Sequence, residues 1–493
     1  MLPNNLGDVI MTLPLLASLK SIPETPHITF VAEEGYEGGL LNSPYCDRIV
    51  TIPRKTIKQA AGTAGWRHGI ELLRELVEQI ASGGCDHLYN LSQHPYLSHV
   101  ASLVKAAGRS GRYFLPEGNH TLRDPWSQYL YAIPFARHYN ELHAADVYCR
   151  IGNAVNGRPD GTLYSLKVLT GEKNAARRFL ADKNFSIDRA VAVFQPGAAW
   201  QAKRWPEEAF AALGKMLVND GYGILITGSP AERDVSDRIA GALGTSCLST
   251  SGELSFRESI ALLAFADWVV TGDTAIMHAA AALGRKVVAL FGPTSPVETG
   301  PYGSGHRVVC GKCPQRPCFR TVCPTCLCMK SIRPETVYGC IRDQTVSTGD
   351  ADIFTTGFDR GIFRLIPVDG HPNPFFHQAG AALVRRVFEV LPAPGNEHSL
   401  LSEVEQSRRF IAVCKMMESS LAAGLSGGGS VQLQRFEALR GRAAALEGVT
   451  TFWNALLNIR LNSVPLLDPV NGISASLAVC RETRMQVEGA LPP

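Results

Sequence analysis

Four short segments of this chain combine small residues with acids, a cation or an imidazole where apolar runs end, and these are where chemistry would be placed. In TGDTAIMHAAAALG, Thr271 to Gly284, an apolar run ends at Gly272. Asp273, Thr274 and Ala275 then open an alanine-rich helical stretch that carries His278. Asp and Thr in these positions serve as ordinary helix caps. The same pattern also leaves backbone N–H groups at a helix start open to a diphosphate, with His278 able to donate to a phosphate oxygen or a ribose. In GAAWQAKRWP, Lys203 and Arg204 follow a loop of small residues and precede Trp205 and Pro206. A cation there is either solvated beside a buried Trp or placed to neutralise a departing phosphate. Glu232 in GSPAERD suits the start of a helix by its charge alone, and it could equally hold ribose hydroxyls. Asp8, in LPNNLGDVIMTLPLL, is an N-cap by default and a general base if it faces a reacting hydroxyl.

The elements that must position these residues read as short apolar strands alternating with amphipathic helices up to about residue 345, the signature of open α/β sheets with parallel strands. In the first half the spacing predicts strands at 27–31, 48–52 and 87–91 and helices at 9–20, 70–82 and 98–107. A connection at 153–169 leads into a helix at 171–183. The second half predicts strands at 190–194, 223–227, 268–271 and 287–291, with helices at 207–220, 231–243, 255–264 and 275–283, a doubly wound pattern. In such sheets ligands collect at the carboxyl ends of strands, and Gln195, Thr227 and Thr271 open three small-residue loops there. Two further strands are expected within 351–368 around Gly357 to Gly361, and helices at about 376–391 and 398–423. The GLSGGGS stretch from Gly424 reads as a flexible linker, with helical stretches continuing to Val487.

With 493 residues, 45% hydrophobic and 19% charged, the chain has material for two or three cores and is neither disordered nor fibrous. Lys plus Arg (48) nearly balance Asp plus Glu (45), so the net charge of +3 is too thin a field for nucleic acid, and any anion site must be local. No apolar run reaches the roughly 20 residues that span a bilayer. The apolar stretch Val9 to Leu19 has no basic residue before it and Asp8 at its edge, so it reads as the start of the fold and not as a signal peptide.

Of thirteen cysteines, seven lie between Cys310 and Cys340. Cys310-x2-Cys313 and Cys323-x2-Cys326, separated by nine residues, have the spacing of a structural thiolate site for zinc; Cys318, Cys328 and Cys340 complete the segment. Pro314, Pro317 and Pro324 equally suit a loop whose thiols bind nothing. The remaining six are scattered, which suggests a reducing, cytoplasmic setting.

Taken together, LGDVIMTLPLLASLK, PGAAWQAKRWP, the strand before GSPAERD, GDTAIMHAAAALG and VVALFGPTSPVETGPYG resemble, in order and spacing, glycosyltransferase family 9, the lipopolysaccharide heptosyltransferases. The resemblance covers about residues 1–345 and is strongest from Phe194 to Tyr302. It implies a GT-B architecture with two Rossmann-like domains facing across a cleft: an acceptor-side domain at 1–165 and a nucleotide-sugar domain at 166–345. Residues 346–493 would be a mainly helical extension of unknown role. It further implies inverting transfer of a sugar, typically heptose from ADP-heptose, to a lipopolysaccharide core or related glycolipid, with no cofactor or catalytic metal. Asp8 would be the general base, Lys203 would contact the donor phosphates and Glu232 the ribose. Asp273, Thr274, Ala275 and His278 would line the diphosphate and sugar pocket. Such an enzyme would be cytoplasmic, with peripheral contact at the inner face of the bacterial inner membrane. The family also implies a buried strand ahead of the LGD motif, for which Met1-Leu2-Pro3 leaves no room, so the start is read as incomplete. A reading of a different class is a nucleotide-binding or scaffolding protein whose helical last third does the work; a sugar-nucleotide hydrolase or epimerase of similar architecture is a third.

Overall fold

The computed structural model describes residues 1, 5–63, 66–114, 120–121, 125–135, 137, 140–152, 165–344, 349 and 351–368. Of the remainder it describes 415, 417, 479–481 and 484–485. The chain divides into two compact units, one of Met1, Val77–Glu141 and Pro374–Pro493 and one of Leu2–Leu76 and Leu142–Asn373. The helices and linker expected from residue 376 onward lie outside the described residues.

The strands in chain order are β1 (Thr29–Glu33), β2 (Arg48–Ile52), β3 (His87–Asn90), β4 (Gly108–Gly111), β5 (Tyr113–Phe114), β6 (His120–Thr121), β7 (Val191–Gln195), β8 (Gly223–Ile226), β9 (Cys247–Ser249), β10 (Trp268–Gly272), β11 (Lys286–Phe291), β12 (Arg307–Gly311), β13 (Ala351–Asp359) and β14 (Ile362–Pro367). Eight of them form one sheet in the order β14-β13-β12-β11-β10-β7-β8-β9. From β9 to β12 every pairing is parallel, and β13 and β14 are added antiparallel. Strands β7, β8 and β10 are buried along their whole length, as unbroken apolar runs must be in a parallel sheet covered on both faces. The helix Glu207–Asn219 covers one face, burying Phe210, Leu213 and Leu217 at one-turn spacing among Phe194, Ile224 and Trp205. Trp205 fixes its indole by donating to the Ile332 carbonyl at 3.0 Å.

The order of this sheet reverses between β7 and β10. From β7 the chain steps outward to β8 and β9, then returns to β10 and steps the other way to β11 and β12. The carboxyl ends of β7 and β10, paired at Thr271 and Gln195, thus flank a topological switch point, the crevice where open α/β sheets hold ligands.

The first half differs from the single sheet expected of it. Among the described residues β1 pairs only with β2 and β3 only with β4, both parallel, while β5 and β6 form a separate antiparallel pair. Beside β3 lies Met1, whose amine donates to Tyr89 O at 2.7 Å and whose carbonyl accepts from Leu91 N at 3.1 Å. The helix expected at 9–20 is two helices, Leu6–Ile10 and Leu13–Lys20. Pro14, which has no N–H to give, stands in the first turn of the second, and the Thr12 hydroxyl between them donates to Val9 O at 2.7 Å. The hairpin expected within 351–368 is present. Its two-residue turn, Arg360-Gly361, has positive φ at both positions (49° and 77°), the geometry that matches strand twist.

Candidate active site

The switch point gathers the residues that the sequence singled out separately. After β7 the chain passes through Pro196 and Gly197 to a short turn, Gln201–Lys203, and after β10 it reaches Asp273. Lys203 Nζ stands 2.7 Å from Asp273 Oδ2 and 3.4 Å from the Asp273 carbonyl, above the Trp200 ring with 4.5 Å to its centroid. The side chains are 16% and 8% exposed, so this is a largely desolvated ion pair. Burial alone would raise the Asp273 carboxyl; the adjacent ammonium outweighs it and holds the group below its ordinary value. The phosphate-contacting cation expected at Lys203 and the acid expected at Asp273 are therefore one unit.

The helix Ala275–Ala282 begins directly behind this pair. Thr274 is its N-cap residue, yet its hydroxyl makes no capping bond and lies instead 2.9 Å from Thr271 Oγ1. Ordinary side-chain capping by Thr274 is thus not what the pattern encodes: its hydroxyl takes none of the first N–H groups, while Met277 N donates to the Thr274 carbonyl at 3.1 Å. His278 is buried one turn on. Burial lowers it to about 4, with Asp273 opposing and Lys203 adding, so at neutral pH it is an uncharged imidazole with one donor and one acceptor nitrogen.

Glu232 reaches the same crevice from the loop after β8. Its Oε2 accepts from Ser229 N at 2.7 Å and from Gln195 Nε2 at 3.2 Å, while Gln195 Oε1 accepts from Thr227 Oγ1 at 3.0 Å. Gly197 makes room for it: a Cβ on that residue would overlap the Glu232 carboxyl group. Pattern reasoning placed Gln195 and Gly197 in a small-residue loop at a strand end but gave neither residue a role of its own. Their signal was a polar residue and a glycine ending an otherwise apolar strand.

Asp8 lies in the helix Leu6–Ile10, with Asn5 Nδ2 donating to its Oδ2 at 3.2 Å. The preceding Gly7 packs on the second helix of the site, where a Cβ would stand 2.9 Å from His278 Cδ2 and 3.9 Å from Ala275 Cα. The LGD segment is therefore docked on the helix that follows Asp273. Burial, reinforced by the charges of Asp8 and Glu298, pushes the Tyr148 phenol well above its ordinary value, which adds Tyr148 to this neighbourhood.

The cysteines do not form the expected ligand set. Among the described residues no group of three or more His, Cys, Asp or Glu is arranged to hold a metal ion. Cys310 is buried in β12, Cys328 and Cys340 belong to the apolar core, and Cys313 packs against it. Three of these thiols serve as small apolar side chains, and burial raises each of them.

Residues 149–328 match the family model described as glycosyltransferase family 9 (heptosyltransferase). This part of the chain is similar to glycosyltransferase family 9, and the chain spans less than half the length of the first relatives it matches. The match covers β7 to β12 and with them Lys203, Glu232 and the Asp273–His278 segment. Lipopolysaccharide heptosyltransferase 2 of Salmonella typhimurium is 37% identical over 149 residues, 29% of this chain and 42% of that relative. Lipopolysaccharide heptosyltransferase 1 of Pseudomonas aeruginosa is 26% identical over 326 residues, 65% of this chain and 85% of that relative. Among solved structures, the family 9 glycosyl transferase from Veillonella parvula has a TM-score of 0.58 at 21% identity, covering 69% of this chain and 94% of that one. ADP-heptose lps heptosyltransferase II of E. coli has 0.52 at 23%, covering 69% and 96%. These likenesses establish the fold class, α/β of GT-B architecture. No described helix of this chain is long and apolar enough to cross a membrane.

Proposed function

We propose that this chain is an inverting glycosyltransferase that moves a heptose from ADP-heptose to a lipopolysaccharide core or related glycolipid. The observation that carries the reading is the convergence, at one switch point, of the Lys203–Asp273 pair, a helix start that the Thr274 hydroxyl does not cap, and Glu232. The Gly7-Asp8 segment is packed against the same helix. The name of the E. coli structure and the curated relatives support heptose as the sugar and ADP-heptose as the donor.

As the bond from sugar to diphosphate breaks, negative charge grows on the leaving group. Lys203 and the N–H groups at Ala275 and beyond answer that charge, and neutral His278 donates one hydrogen bond without adding a second cation. Glu232 accepts from the ribose hydroxyls. Asp8 removes the proton of the attacking acceptor hydroxyl, on the ring face opposite the leaving group, which gives inversion. The reaction takes its charge neutralisation from the chain itself and is proposed to need no cofactor.

In this reading residues 1–165 form the acceptor-side domain, 166–345 the donor domain, and 346–493 an appendage whose described beginning is the β13–β14 hairpin. The enzyme acts in the cytoplasm, in peripheral contact with the inner membrane that holds its acceptor. Thermal shift of the full chain with ADP, GDP, UDP and their sugar conjugates tests it. A ligand at about 100 times its dissociation constant adds roughly 2.7 kcal/mol of stability. Selective stabilisation by ADP and ADP-heptose is expected; no shift with any nucleotide overturns the reading in favour of a scaffold.

A further inference from the structure

The proposed transfer makes no use of the proline-rich loop between β12 and the helix Leu327–Ser331, and two of its cysteines are unlike the others. Cys323 and Cys326 flank Pro324 and Thr325, both exposed, and are themselves only partly buried. Cys326 has φ of 45°, an uncommon backbone for a residue other than glycine. That turn directs its N–H back at Cys323 Sγ, 3.4 Å away, while its own S–H donates to the Cys323 carbonyl at 2.9 Å. The Thr325 hydroxyl lies 3.6 Å from Cys323 Sγ. The loop thus folds two thiols onto each other at the surface, where small solutes reach them, whereas Cys310, Cys328 and Cys340 are buried.

We propose that Cys323 and Cys326 form a redox-active dithiol that closes to a disulfide by exchange with a low-molecular-weight disulfide. The Cys323 thiolate attacks one sulfur of the small disulfide, forming a mixed disulfide and releasing one small thiolate. Cys326 then loses its proton to solvent, and its thiolate attacks the Cys323 sulfur, releasing the second small thiolate. Two protein thiols are oxidised and one small disulfide is reduced to two thiols.

The division of labour follows from the surroundings. The Thr325 hydroxyl, then the N–H groups of Cys326 and Thr325, hold Cys323 down to about 7, so it attacks. Burial and the neighbouring Cys323 raise Cys326, which suits the resolving thiol. The pair sits close to the donor site: two residues earlier, Thr321 O accepts from Ala202 N at 3.1 Å, in the turn that carries Lys203.

The test uses the full-length protein, freshly reduced, equilibrated with oxidised glutathione, acid-quenched, alkylated and mapped by mass spectrometry on the tryptic peptide Thr321–Lys330. Cys323 and Cys326 are expected to become unavailable to alkylation together, bridged to each other, and to be recovered by dithiothreitol. In Cys326→Ser the mixed disulfide with glutathione should persist on Cys323, and in Cys323→Ser Cys326 should stay reduced. A bridge from Cys323 to Cys313, Cys318 or Cys328, or full alkylation of both thiols after the treatment, overturns the proposal. The wild-type map decides this alone if either variant fails to fold.

Discussion

Gly7 leaves no room for a side chain beside His278: a Cβ at residue 7 would stand 2.9 Å from the ring Cδ2. The ring is buried and cannot swing into solvent, so Gly7→Ala must push the helix Leu6–Ile10 off the helix Ala275–Ala282. The expected result is a loss of about 1–3 kcal/mol in denaturant unfolding together with loss of transfer. Wild-type stability and turnover in this variant would show that the packing has no consequence for the site.

The two halves of the chain were unequally legible. In the second half, continuous apolar runs bounded by glycine and small residues marked β7, β8, β10 and β11 to within one residue, because strands buried on both faces leave little ambiguity. Short β9, at the sheet edge, and β12, whose apolar run is only Val308 to Cys310, went unread. That β13 and β14 would extend this same sheet was equally hidden, since pairing partners depend on tertiary placement and not on local pattern. In the first half the register of β1 was read two residues early, and nothing local shows that β1–β2 and β3–β4 stay separate pairs. Asp8, Lys203, Glu232 and His278 were singled out as candidates from the segments around strand ends and helix starts. What the sequence concealed was the company they keep: the ion pair of Lys203 with Asp273, residues 70 apart, and the seat of Glu232 on Gly197.

The Lys203–Asp273 pair is buried enough that removing one partner leaves the other exposed to the full cost of desolvation. Lys203→Met should destabilise the protein by about 3 kcal/mol at pH 7. In the wild type the depressed Asp273 carboxyl contributes stability that is present above about pH 3.8 and is lost as pH falls through its lower folded value. In the variant Asp273 is unpaired and can be relieved by protonation, so its deficit relative to wild type should shrink below pH 5. Urea unfolding of both proteins at pH 7 and pH 4 checks the sign; an equal deficit at both values would contradict it.

Three buried histidines set the acid limit of the fold. Burial chiefly lowers His143 to about 3 and His278 and His306 to about 4, so between pH 6.5 and 4 the unfolded chain takes up protons that the folded chain refuses, and stability falls with falling pH. Asp146 opposes them. Buried, and accepting from Tyr302 Oη at 2.6 Å and Phe363 N at 3.0 Å, it is raised to about 6, so the folded chain binds its proton first and gains stability as pH falls from 6 to 3.8. The three histidines against Asp146 by themselves contribute a slope of roughly 2–3 kcal/mol per pH unit near pH 5, to which the buried Met1 amine, lowered to about 5, adds in the same direction. The melting temperature should drop steeply below pH 6, and more steeply in Asp146→Asn, where the opposing group is gone. A variant with a shallower acid limb than wild type would refute this assignment.

Glu232 should read the ribose and not the phosphates. Glu232→Gln keeps an oxygen for Ser229 N but loses the charge, and ADP binding measured by calorimetry should weaken roughly tenfold, the scale of one charge-assisted hydrogen bond. Binding of pyrophosphate, which lacks the ribose, should stay within about twofold. Equal losses for both ligands would move Glu232 from the ribose to the diphosphate.

Asp8 separates catalysis from binding. If it takes the proton of the acceptor hydroxyl, Asp8→Asn retains the hydrogen bond from Asn5 in a residue of equal size, and retains the seat of Gly7 on His278, while removing the base. Transfer from ADP-heptose should fall by about 10²–10⁴-fold, with ADP affinity unchanged because the donor contacts proposed at Lys203, Glu232 and Ala275 come from other elements. A variant that turns over normally would exclude Asp8 as the base. One that loses ADP binding along with transfer would assign it to holding the helix Ala275–Ala282 in place.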